Sequence, residues 1–109
     1  MKYKHYAPSS KCELIYIKNE AEMIKYFTAK TTSKTVIIGS SKLKDIPCKK
    51  YLYYGDTLGA ISHNIFKLLR LADTYNPDII LIEGVSKEGL GLAIMNRLIR
   101  ASSYNYIER

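Results

Sequence analysis

The chain has 109 residues, of which 47% are hydrophobic and 25% charged, and a formal net charge of +7. That length supports one domain with a modest core, and the composition argues against disorder throughout. No apolar run approaches the roughly 20 residues that span a bilayer, and no apolar signal core follows the basic start, so a soluble, cytoplasmic chain without membrane contact is expected.

Residues 1–11 read as an irregular basic, aromatic arm that ends in Pro8-Ser9-Ser10. Residues 12–17, Cys-Glu-Leu-Ile-Tyr-Ile, are rich in β-formers and predict a first strand. Asn19 and Glu22 have capping-box spacing, so a helix follows through about residue 29, with Ile24 and Phe27 inward. A second strand spans 35–38 and stops at Gly39-Ser40-Ser41, and a polar stretch then leads to a third strand at 51–54. The longest helix is capped by Asp56 or Thr57 and runs to about residue 75. Its apolar stripe is Leu58, Ile61, Ile65, Leu68 and Ala72, widened by Phe66 and Leu69, with His63 on the polar side.

Asn76-Pro77 closes that helix, and residues 78–83 follow as four apolar β-formers bracketed by acids, the pattern of a strand covered on both faces. A last helix runs from residue 90 or 91 to about 102, with Leu90, Ile94 and Leu98 inward. The order β-α-β-β-α-β-α predicts a three-layer, Rossmann-like α/β sandwich on a small, mostly parallel sheet. Residues 12–109 form this domain, and residues 1–11 are its arm.

Few residues offer chemistry. Cys12 and Cys48 are too few for a disulfide framework or a four-ligand zinc site and read as two buried free thiols. His5 and His63 lack the companions that a metal site needs, and no nucleophile–base pair is visible, so no catalytic residue is assigned. The loop at 84–91 joins a strand end to a helix start, where Lys87, Gly89, Gly91 and Arg97 could hold an anion. The same glycines suit a tight turn and close helix–sheet packing better, because the dinucleotide fingerprint is incomplete and no Walker sequence is present. The surplus of lysine leaves a nucleotide or tRNA partner open.

Three segments, taken in order, carry a resemblance. Lys2-Tyr3-Lys4-His5-Tyr6-Ala7-Pro8 is similar to the Lys-Tyr-Arg-His-Tyr-Ala-Pro linker of two-domain threonylcarbamoyl-AMP synthases. Leu69-Arg70-Leu71-Ala72-Asp73 resembles the Leu-Arg-x-x-Asp that ends a long helix in that family. The run from Glu88 to Ala101 resembles its closing motif, Glu-Gly-x-Gly-x-Ala-x-x-Asp-Arg-Leu-x-x-Ala. Two positions depart from the pattern: Lys4 stands where Arg is usual, losing the planar fork, and Asn96 stands where Asp is commoner.

The resemblance implies an accessory C-terminal domain with its interdomain linker. The family condenses threonine, bicarbonate and ATP to threonylcarbamoyl-AMP and pyrophosphate, for threonylcarbamoyladenosine modification of tRNA. It implies that ATP, a divalent cation and the catalytic residues belong to a YrdC-like catalytic domain, joined covalently or acting in trans. No cofactor is then expected in this chain. Tyr3, Lys4, His5 and Tyr6 would cover the catalytic pocket as a lid. The alternatives on the residues alone are an independent nucleotide- or anion-binding module and a basic tRNA-binding module.

Overall fold

A computed structural model describes residues 8–109. The elements run β1 (Cys12–Tyr16), α1 (Glu20–Lys30), β2 (Thr35–Gly39), a 3-10 turn (Ser41–Leu43), β3 (Lys50–Tyr53), α2 (Leu58–Thr74), β4 (Ile79–Glu83), α3 (Leu90–Ala101) and β5 (Tyr106–Glu108). All five strands are parallel, in the order β3-β2-β4-β1-β5. The chain is therefore the expected α/β sandwich, with a sheet wholly rather than mostly parallel.

The apolar run of β4 explains its central place. Ile80 and Ile82 project to one face, where they meet Leu14 of β1, Val36 and Ile38 of β2, and the inner sides of α2 and α3. Leu81 projects to the other, against Ile15, Ile37, Leu43 and the α1 residues Met23 and Phe27. Strand alternation thus feeds two cores from one sequence stretch, and covering both faces permits an unbroken run of apolar residues. Register is tight: Ile80 lies opposite both Cys12 and Val36, and Ile82 opposite both Leu14 and Ile38.

Helix boundaries follow their caps. The Asn19 side chain accepts a 2.9 Å bond from the Glu22 amide, and Thr57 accepts from Ala60 at 3.1 Å. Of the two caps proposed for the long helix, Thr57 is the one used. That helix ends through Asn76, whose φ of 50° suits a left-handed residue after a helix.

The inward faces differ from the sequence expectation in three places. Met23, not Ile24, is the buried partner of Phe27 in α1, while Ile24 is half-buried. In α2, Leu69 is buried and Leu68 only partly so, and Leu58 is 37% exposed at the first turn. In α3, Leu90 is 45% exposed and the core is filled by Ile94, Met95, Leu98 and Ala101. Leu58 and Leu90 are each the first residue of their helix. β5 was not expected at all; it pairs beside β1 as a three-residue edge strand.

Candidate functional site

The described residues offer two places for function, at opposite edges of the sheet. At the carboxyl edge, β1 leads into α1 on one face and its neighbour β4 leads into α3 on the other. Such a reversal opens a crevice between the two strand ends, where α/β sheets usually receive ligands. A crevice of about 170 Å³ lies there, lined by Tyr16, Lys18, Glu20, Lys42, Glu83 and Gly84 among others. This is below the roughly 300–1,000 Å³ of small-molecule pockets. Lys42 Nζ is 3.3 Å from Glu20 Oε1, and Glu83 Oε1 accepts the Ser40 amide at 2.8 Å. The Glu83 carbonyl accepts from the Tyr54 hydroxyl at 3.1 Å, and burial pushes that phenol far above its usual range.

The loop after β4 is built by close approach. A Cβ on Gly91 would stand 1.9 Å from the Ser86 carbonyl oxygen, and one on Gly84 would stand 3.0 Å from Tyr16 Cβ. Gly89 has a φ of 57° and begins α3 without a side-chain cap. The Val85 amide donates to Met95 Sδ at 3.4 Å. These contacts give Gly91 and Gly84 a packing role and Gly89 a turning role.

The two cations proposed for an anion face different neighbours. Lys87 Nζ lies 3.2 Å from Glu108 Oε1 and 5.0 Å from the Tyr106 ring centroid, on β5. Tyr106 donates to the same carboxylate oxygen at 2.6 Å. Hydrogen bonds from Tyr106, then Lys87, hold the Glu108 carboxyl below its usual range, and the bond to Glu108 raises the Lys87 ammonium. Arg97 instead stacks 4.5 Å from the Phe66 ring centroid on α2. Lys87 and Arg97 thus lie on opposite flanks of α3.

The amino edge holds the second place, the junction with the arm. Asp73, in the last turn of α2, accepts the Ser9 amide on Oδ2 at 2.8 Å and the Ser10 amide on Oδ1 at 3.0 Å. The next residue, Lys11, gives its carbonyl to the Ile80 amide at 2.8 Å, and Asn105 Nδ2 donates to the Cys12 carbonyl at 2.9 Å. Cys12 is buried beneath this junction; burial, and then the charge of Asp73, push its thiol up to about 12. Both cysteines are free thiols, but only Cys12 is buried; Cys48, expected to be buried, is partly exposed. Tyr3, Lys4, His5 and Tyr6 lie outside the described residues.

Sequence reasoning missed the clamp. A contact across 64 residues leaves no local pattern. One local signal was available: an acid in a helix's last turn opposes the helix dipole and calls for compensating donors. It also missed Glu13, a 5% exposed carboxylate on β1 that accepts from the Tyr26 hydroxyl at 3.0 Å. The Glu13 Oε1 atom lies 3.4 Å from Lys30 Nζ, within ion-pair range, yet it takes no well-aligned hydrogen bond among the described residues. Among those residues no group of three or more His, Cys, Asp or Glu could hold a metal, and no helix is long and apolar enough to cross a membrane.

Residues 1–103 match the family model described as threonylcarbamoyl-AMP synthase, C-terminal domain. The threonylcarbamoyl-AMP synthase of Pyrococcus abyssi is 38% identical over 112 residues, covering 99% of this chain and 32% of that protein. The crystal structure of the Pyrococcus abyssi protein complexed with L-threonine superposes with a TM-score of 0.79 at 39% identity, covering 100% of this chain and 33% of that one. A solved C-terminal domain from Pyrococcus horikoshii matches with a TM-score of 0.66 at 28% identity, over 94% of this chain and 100% of that one. The chain thus spans about a third of the length of the curated relatives it matches. By sequence and by fold, the chain belongs to the family of threonylcarbamoyl-AMP synthase C-terminal domains.

Proposed function

We propose that this chain serves a threonylcarbamoyl-AMP synthase as its accessory domain, with the arm acting as a lid on a YrdC-like catalytic domain. The observation that carries this is the extent of the family match, which begins at residue 1 and so includes the arm along with the sandwich. The match thus counts the arm as part of what this family's domain carries.

The chemistry asks for such a segment. Threonine and bicarbonate form a carbamate that loses CO2 readily in water, and its carboxylate must attack the α-phosphorus of ATP with loss of pyrophosphate. A cover that excludes water protects the carbamate and strengthens the electrostatics around the phosphates. Lys4 supplies a positive charge for a nucleotide, while Tyr3, His5 and Tyr6 supply flat faces and hydrogen-bonding tips. ATP, threonine and a divalent cation are bound on the catalytic domain, and the product serves threonylcarbamoyladenosine modification of tRNA in the cytoplasm.

The test replaces His5 and Tyr6 together by alanine in the synthase that carries this chain, and measures threonylcarbamoyl-AMP formed from threonine, bicarbonate and ATP. The rate is expected to fall about tenfold or more, as misplacement of closing elements usually causes. A parental rate in the double variant removes the lid.

A further inference from the structure

The arm leaves the sandwich at one fixed point, and the residue that fixes it is not in the arm. Asp73 takes two consecutive backbone amides, Ser9 on Oδ2 at 2.8 Å and Ser10 on Oδ1 at 3.0 Å. Using both carboxylate oxygens on adjacent amides sets direction as well as position, since each bond alone would allow the chain to swing about it. The junction is tied again at the next two residues, through the Lys11 carbonyl to Ile80 and the Cys12 carbonyl to Asn105.

The cost of placing an acid there is visible in the helix. Asp73 occupies the last turn of α2, where partial negative charge already accumulates, and that turn contains no basic residue. A neutral residue would serve the helix better. Two of the partners of Asp73 lie outside its own element: the arm amides, 64 and 63 residues away in sequence.

We propose that Asp73 is the positioning residue of the arm: its carboxylate fixes the exit of residues 8–11 from the amino edge of the sheet and thereby aims the arm at the catalytic domain. The second half of this statement rests on the lid function proposed above. The first half stands on the described contacts alone.

Two measurements separate these halves. In the isolated chain, amide hydrogen exchange at Ser9 and Ser10 is compared between parent, Asp73→Asn and Asp73→Ala, with Ile80 and Ile82 amides reporting on the core. Charge-assisted bonds of this kind predict exchange at least about tenfold faster in Asp73→Ala, with a smaller rise in Asp73→Asn, which keeps one acceptor oxygen. Core exchange should stay parental. Parental exchange at Ser9 and Ser10 in Asp73→Ala overturns the proposal.

The second measurement uses the full synthase carrying this chain, and compares Asp73→Ala with the double variant His5→Ala, Tyr6→Ala. A fall in kcat for Asp73→Ala, partly restored in Asp73→Asn, supports aiming of the arm. A parental kcat for Asp73→Ala beside a reduced kcat for the double variant overturns the aiming role and leaves the lid intact. If the double variant is parental while Asp73→Ala is slow, the lid fails and the aiming role falls with it, while the exchange measurement alone decides the clamp.

Discussion

Glu13 is a carboxylate where the strand pattern calls for a core side chain, and its neighbours show how it is tolerated. The Tyr26 hydroxyl donates to one oxygen and the Lys30 ammonium lies near the other, so the charge is compensated from α1. Burial, then the bond to Glu13, holds the Tyr26 phenol above its usual range. Tyr26→Phe leaves that oxygen without its donor and should cost about 1–3 kcal/mol in urea unfolding. Removing both partners, with Glu13→Leu added, should recover part of that loss. At the same scale the two thiols diverge. Cys12 is buried with its pKa raised to about 12 from an ordinary 9.0, whereas Cys48 is partly exposed and raised less far. Iodoacetamide at pH 8 should therefore modify Cys48 first, with mass spectrometry finding Cys12 labelled only on unfolding. The sign for stability follows: the contribution of Cys12 is full below about pH 9 and is lost as pH rises toward 12, because the unfolded thiol ionises first. Cys12→Ala should flatten part of that alkaline slope. None of this was legible from residue types, since each effect depends on burial by elements distant in sequence.

Elements were legible where one local rule governs. The Asn19 cap, the Thr57 cap and the apolar run of β4 all stand as the sequence predicts. Asn19→Ala should accordingly cost about 1 kcal/mol, read as a lowered urea midpoint. The inward faces were less legible, because a helix stripe is wider than its buried centre. Met23→Ala should cost about 2–5 kcal/mol, while Ile24→Ala, half-buried, should cost less. The reverse order would place the axis of α1 wrongly. In the loop before α3 the close packing expected of its glycines is present, and Gly91 shows why. A methyl group there meets the Ser86 backbone oxygen rather than a movable side chain, so Gly91→Ala should destabilise by about 2–3 kcal/mol or more. β5 escaped notice for the opposite reason. Three residues, Tyr106 to Glu108, carry too little periodicity to declare a strand, and only β1 alongside makes them one.

At the scale of the whole molecule, the parallel sheet separates two edges. Each five-residue strand is about 17 Å long, so the crevice at the carboxyl edge and the arm junction at the amino edge are distinct places. The crevice is small and partly closed by its own ion pair, while the junction is tied by four hydrogen bonds to the body of the domain. A charge of +7 on 109 residues leaves an acidic partner open from composition alone. Family membership directs attention to the arm instead. The decisive measurement joins this chain to its catalytic domain and replaces residues 1–7 with a glycine–serine segment of equal length, leaving 8–109 untouched. Formation of threonylcarbamoyl-AMP from threonine, bicarbonate and ATP should then fall by about tenfold or more while the thermal unfolding of the sandwich is unchanged. Undiminished synthesis with the replaced arm would contradict the lid.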